Sequence, residues 1–147
     1  MIQSSNVLSL SWSSDGKVLA FSYGQHGSNI SPDLRPQIFL IDLETDKTTR
    51  LTNDLYEYWS AGFSPVHNLI ALQRVGGGSP NQGPEYTTVI QDLDTHCQID
   101  LPLHDTNFAS WSPDGQKLVI SALGSAYIVD LSEYLGPVYQ QTGSICP

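Results

Sequence analysis

Residues 6–12, NVLSLSW, alternate apolar and polar positions with Val7 out of step, and residues 17–23, KVLAFSY, place Val18, Ala20 and Ser22 on one face and Leu19, Phe21 and Tyr23 on the other. The pattern predicts two strands. Ser13, Ser14, Asp15 and Gly16 lie between them. Asp15 can accept backbone N–H groups there, and Gly16 can take positive φ without steric cost. The segment QIFLIDL from Gln37 is almost continuously apolar, as expected of a strand covered on both faces. Glu44 to Lys47 makes the next turn, and Thr48 to Thr52 is β-prone but polar enough for an outer edge. The first third of the chain therefore reads as four consecutive strands, a to d.

The pattern then repeats. SWSSDGKVLAFSY from Ser11, GFSPVHNLIALQR from Gly62 and SWSPDGQKLVISA from Ser110 align on Trp12, Phe63 and Trp111, about 50 residues apart. A second segment follows each, fixed by Asp42-Leu43, Asp92-Leu93 and Asp130-Leu131. A period near 50 with four short strands per unit is the signature of propeller blades. Blade 1 is expected over about residues 6–52, blade 2 over about 59–102 and blade 3 over about 107–141, with 142–147 as a tail. The turn of blade 2 reads Ser-Pro-Val-His-Asn, and Asn68 is expected to take the positive φ. Blades 1 and 2 carry insertions between strands b and c, Gly24 to Pro36 and Val75 to Glu85. Blade 3 lacks one, and its outer strand, expected over Tyr134 to Thr142, is interrupted by Gly136 and Pro137.

These residues resemble the propeller repeats of TolB and its relatives, WD-repeat-like blades with a W-S-P-D-G-x-x-I/L-A-F core, which stands here as WSSDGKVLAF, FSPVHNLIAL and WSPDGQKLVI. The first copy also shows the family's ending as DLETDKTTRLT, Asp42 to Thr52. The resemblance implies an all-β fold of antiparallel blades, three in number with the third incomplete. Propellers usually have four to eight blades. The expectation is therefore a partial propeller, completed by further blades of a longer chain or by a second copy in a three-plus-three homodimer.

Composition narrows the function classes. Fifteen acidic residues against six basic ones give a net charge of −9. Such a chain repels phosphate backbones and anionic lipid, so neither nucleic acid nor a membrane surface is expected as partner. No apolar run approaches the length of a membrane span. The first residues carry no basic and apolar leader pattern, so the sequence as it stands implies the cytoplasm; a periplasmic or extracellular site is the alternative if the chain is part of a longer protein. Two cysteines, Cys97 and Cys146, do not make a disulfide framework. They are read as idle thiols, with a bridge between them as the alternative.

Enzyme motifs are sparse. There is no G-x-S-x-G elbow, and Gly76-Gly77-Gly78-Ser79-Pro80 is not followed by the Gly-Lys-Ser/Thr of a phosphate loop. Asp94, His96, Cys97, Asp100, His104 and Asp105 are rich in metal-ligand types, but adjacent strand residues point to opposite faces and the two ends are far apart, so no metal and no cofactor is expected. Asp15, Asp114, Asp42, Asp92 and Asp130 recur at repeat positions, which implies hydrogen bonding in each blade's turns rather than catalysis. In a propeller, b–c and d–a loops share one rim. That rim would gather Tyr23, His26, Arg35, Tyr56, Glu57, Tyr58, Arg74, Glu85, Tyr86 and Asp105, and tyrosine and arginine on loops are favoured interface anchors. The sequence thus predicts a non-catalytic module binding a protein or peptide across that rim. The alternative is the gating propeller of a prolyl-oligopeptidase-like hydrolase whose catalytic domain is absent from this chain.

Overall fold

A computed structural model describes residues 6–25, 30–76, 83–142 and 145 of the chain. Strands β1 (Asn6–Trp12), β2 (Val18–Gly24), β3 (Gln37–Asp42) and β4 (Lys47–Arg50) form one antiparallel sheet in chain order, with a 3-10 turn at Pro32–Leu34 inside the first insertion. A second four-stranded sheet comprises β5 (Glu57–Phe63), β6 (Leu69–Gly76), β7 (Glu85–Asp92) and β8 (Gln98–His104). The third sheet has three strands, β9 (Thr106–Trp111), β10 (Lys117–Ala122) and β11 (Ser125–Asp130), and is followed by the helical segment α1 (Leu131–Thr142). These are the blades that the repeat predicts, with the third one short of its outer strand.

Each turn reuses the same chemistry. The Asp15 carboxylate accepts from the Ser13 hydroxyl and the Lys17 N–H, and Asp114 does the same with Ser112 and Gln116. Asp42 accepts the N–H groups of Glu44 and Thr45, and Asp92 those of Asp94 and Thr95. Hydrogen bonding holds the carboxyls of Asp15, Asp42 and Asp114, and that of Asp130 at the equivalent position of blade 3, below the ordinary aspartate range, with the largest contribution from Ser13, Thr45, Ser112 and Ser132 in turn. The stability they add is complete above the ordinary aspartate range and is lost as acid protonates them.

The expectation for Asn68 fails, because it is not among the residues with positive φ. Ser64 accepts from the Val66 and His67 N–H groups instead, so the side chain closes the turn without a left-handed residue. Among the left-handed residues not expected from sequence is Leu123, at φ 50 beside Gly124 at φ 75, in the two-residue turn joining β10 to β11. Such a turn favours Asn-Gly, and leucine carries a Cβ penalty there. Leu123→Asn is expected to raise the unfolding free energy by about 1 kcal/mol, read from the urea midpoint, because Leu123 is exposed and gives up no core contact.

The predicted outer strand at Tyr134 to Thr142 is helical instead. Asp130 Oδ1 accepts from the Ser132 N–H and hydroxyl and from the Glu133 N–H, so the aspartate that opens a turn in blades 1 and 2 caps a helix here. Leu131 and Leu135 then pack into the core as the first helical turn brings them to one side. Gly136, at φ 77, breaks the helix within the segment. The reading of Cys97 as an idle thiol is also overturned: Cys97 is disulfide-bonded, and the chain's other cysteine is Cys146.

The sheets stack face to face through two apolar joints. Ala20, Ile38 and Leu40 of blade 1 meet Tyr58, Ala61, Phe63, Ile70, Leu72 and Val89 of blade 2. Leu69, Ala71, Ile90 and Leu101 of blade 2 meet Ala109, Trp111, Leu118, Ile120 and Val129 of blade 3. Each fully buried aliphatic side chain contributes about 1.5–3 kcal/mol of burial free energy. Polar links fix the joints' alignment: the Phe63 N–H donates to Ser11 Oγ (3.2 Å), and the Trp111 indole donates to the Gly62 carbonyl (2.9 Å).

Candidate functional site

The first strand of every blade carries a bulge at the same repeat position. In β1 the register shifts between Val7 and Ser9, in β5 between Tyr58 and Ser60, and β9 runs two residues against one opposite the Ile120–Ala122 shift of β10. Bulges re-aim side chains out of the alternation. Here they turn Leu8, Trp59, Asn107 and Phe108 into one groove of about 740 Å³, completed by Ser9, Glu57, Ser60 and Gln73. The misfit at Val7 was the sequence trace of the first bulge.

The groove lies at the end of the sheets from which the insertions leave, since Asn6 pairs with Gly24 and Glu57 with Val75. Its walls are mostly apolar, and its polar groups are partly committed. The Trp59 indole donates to Glu57 Oε2 (3.0 Å), and its ring meets Tyr86 edge-on with centroids 5.6 Å apart. Gln73 donates to the Thr106 carbonyl (2.7 Å). Ser9 Oγ is buried and has no hydrogen-bond partner within the described residues. That arrangement suits an apolar side chain flanked by a polar or basic group. The lining hydroxyls of Ser9 and Ser60 share the groove with one carboxylate, Glu57, which the Trp59 indole already engages.

The residues singled out from sequence divide into three groups. Glu57 lines the groove and Tyr86 backs its Trp59 wall, while Tyr56 and Arg74 make a pair of their own beside Gly76 at the end of β6. The Arg74 guanidinium lies 4.6 Å above the Tyr56 ring and pairs with Asp100, and Gly76 lets that ring approach where a Cβ would fall 2.8 Å from it. Arg35 and Glu85 brace the loops: Arg35 donates to the Leu55 carbonyl (2.6 Å) and Glu85 meets His104 Nδ1 (2.8 Å). Asp105, at φ 53, forms the tight link from β8 to β9. Tyr58 and Tyr23 lie elsewhere. Tyr58 is fully buried in the first joint, and its hydroxyl donates to Asp54 Oδ2 (2.7 Å), with burial first and that carboxylate second in pushing its pKa above the ordinary tyrosine value. Tyr23 lies edge-on to Phe39 on the outer face of blade 1. His26 lies outside the described residues. Trp59, Phe108 and Asn107 were missed, because without knowledge of the bulges their alternation assigns them to ordinary strand faces.

Comparison with solved structures gives β-propellers. TolB from Acinetobacter baumannii is 25% identical over 84% of this chain and 29% of its own, with a TM-score of 0.57. The β-propeller domain of the Trilobed protease from Pyrococcus furiosus, which has an open velcro topology, is 15% identical over 88% of this chain and 40% of its own, at 0.62. The tricorn protease is 16% identical over 78% of this chain and 11% of its own, at 0.60. The chain thus spans less than half the length of each. No family model matches, and no curated protein matches. The fold is that of β-propeller blades of the TolB and WD-repeat-like kind, present as a partial propeller.

Proposed function

We propose that this chain is a non-catalytic propeller module that binds a protein or peptide partner at the insertion rim, with the groove taking an apolar side chain of that partner. The observation that carries the reading is the bulge repeated at one position in β1, β5 and β9. A bulge costs ladder hydrogen bonds, and three of them converge on one concave surface. Trp59 in its lining, with Tyr86 packed edge-on behind it, is of the residue types that anchor interfaces. The net charge of −9 favours a neutral or basic partner. The disulfide at Cys97 supports an oxidising compartment, the second of the two locations that the sequence leaves open.

The test is a linear peptide selected from a random library on the immobilised protein, titrated calorimetrically against wild type and Trp59→Ala. The expected result is a ten- to hundred-fold weaker dissociation constant, about 1.4–2.8 kcal/mol, with no change in melting temperature. Equal affinity in wild type, Trp59→Ala and Phe108→Ala would sink the reading.

A second reading is the gating propeller of a hydrolase, favoured by the two proteases among the similar structures. It requires a G-x-S-x-G segment in the same gene beyond this chain. A full-length transcript lacking one removes it.

A further inference from the structure

The strand registers define three equivalent rows on one face of the blades: Ser11–Ala20–Leu40, Gly62–Ala71–Ile90 and Ser110–Val119–Ile128. On the opposite face they define Trp12–Leu19–Ile41, Phe63–Ile70–Gln91 and Trp111–Leu118–Val129. Each internal joint sets a row of the first kind against a row of the second. Blade 1 offers Ala20 and Leu40 to Phe63 and Ile70 of blade 2; blade 2 offers Ala71 and Ile90 to Trp111 and Leu118 of blade 3.

One row of each kind is left over within the same chain. Trp12 is 61% exposed and Leu10, beside it, 65%, whereas Ile128 is 70% exposed although its equivalent Ile90 is fully buried. Phe21 stacks on Phe39 next to Trp12, which extends that face into an aromatic patch. The leftover rows match their buried counterparts in residue type: Ser–Val–Ile beside Ser–Ala–Leu and Gly–Ala–Ile, and Trp–Leu–Ile beside Trp–Leu–Val. The Trp12 indole has no hydrogen-bond partner among the described residues, while the Trp111 indole donates to the Gly62 carbonyl.

We infer that the two end faces are complementary halves of a third joint and that a second copy of this chain fills both, head to tail, giving a ring of three plus three blades about a two-fold axis. The Ser110–Val119–Ile128 row of one copy packs on the Trp12–Leu19–Ile41 row of the other, and the Trp12 indole donates to the partner's Ser110 carbonyl. Two heterologous contacts close the ring, so association stops at two copies. Both contacts bury apolar area of a kind that soluble chains rarely leave exposed.

Sedimentation equilibrium of the purified chain tests this. The expected mass is twice the 16.1 kDa of one chain. Trp12→Glu alone and Ile128→Glu alone each put a charge into both joints, and each is expected to sediment as a single chain with its far-UV spectrum unchanged. Mixing the two variants leaves one intact joint and is expected to restore a dimer. A wild type that stays a single chain throughout the micromolar range overturns the inference. So does a dimer that Trp12→Glu breaks and Ile128→Glu leaves intact, since that contact would join like faces. An open ladder of larger species overturns closure at two copies. If either glutamate variant fails to fold, Trp12→Ala and Ile128→Ala give the same comparison as an expected rise of at least tenfold in the dimer dissociation constant.

Discussion

Tyr58→Ala is expected to lower the unfolding free energy by about 4 kcal/mol, enough to remove a large part of the stability of a domain this size. The ring is fully buried at the centre of the joint between blades 1 and 2, so truncation leaves a cavity between two sheets that cannot easily collapse. Its surroundings add to the loss. The Tyr58 N–H donates to the Pro36 carbonyl (2.8 Å), the Ser22 hydroxyl donates to the Tyr58 carbonyl, and the phenol donates to Asp54. A cavity under these bonds slackens the one place where the first insertion, the connection to blade 2 and both sheets meet. Tyr58→Phe keeps the ring and loses only the hydroxyl bond, for a cost of about 1–1.5 kcal/mol. Guanidinium unfolding of the two variants separates packing from hydrogen bonding. Because the side chain faces the joint and not the groove, Tyr58→Phe should bind the selected peptide as wild type does. Equal destabilisation by both variants would mean that the ring does not hold the joint.

Reduction of the Cys97 disulfide is the second large effect. Cys146 is the chain's other cysteine; a bridge from Cys97 to it would close a loop of about 50 residues, worth about 4 kcal/mol in chain entropy at that length. The loop encloses all of blade 3 and α1. Blade 3 is the blade that needs such a tie: its sheet has three strands, α1 replaces the fourth, and Ile145 in the tail is buried in the joint with blade 2. Cys97→Ser, or dithiothreitol on the wild type, is expected to shift the urea midpoint down by the same amount, with no further shift when the variant is reduced. A variant as stable as the oxidised wild type would show that the tail holds without the bridge.

Much of the fold could be read in the chain, because a propeller repeats its instructions. The W-S-x-D-G turns and the Asp-Leu pairs fixed the blade count, and the aspartates do in the structure the turn bonding that their recurrence implied. What sequence pattern could not reach was set by tertiary context. Asp130-Leu131-Ser132-Glu133 fits either a strand-end turn or a helix cap, and the burial of Leu131 and Leu135 decides for the helix. Cys97 and Cys146 lie 49 positions apart, and nothing in that spacing signals that Cys97 is disulfide-bonded. The groove was hidden for a different reason. A bulge breaks the alternation by which strand faces are read, so the pattern gives no sign that Trp59, Asn107 and Phe108 turn into one groove. Of the loop residues chosen from the rim, Glu57 and Tyr86 meet at the groove, whereas Tyr58 belongs to the joint between blades 1 and 2 and Tyr23 to the exposed face of blade 1, a division set by how neighbouring blades stack.

The central claim is that three repeated blades are held by equivalent joints, with blade 2 covered on both faces and blade 3 open along its outer edge. Native-state amide hydrogen exchange resolved strand by strand tests it most directly. The slowest exchange is expected in β6 and β7, with the exposed β4 and the edge strand β11 exchanging orders of magnitude faster. Exchange in β6 and β7 as fast as in β4, or protection of β11 equal to that of β7, would contradict it.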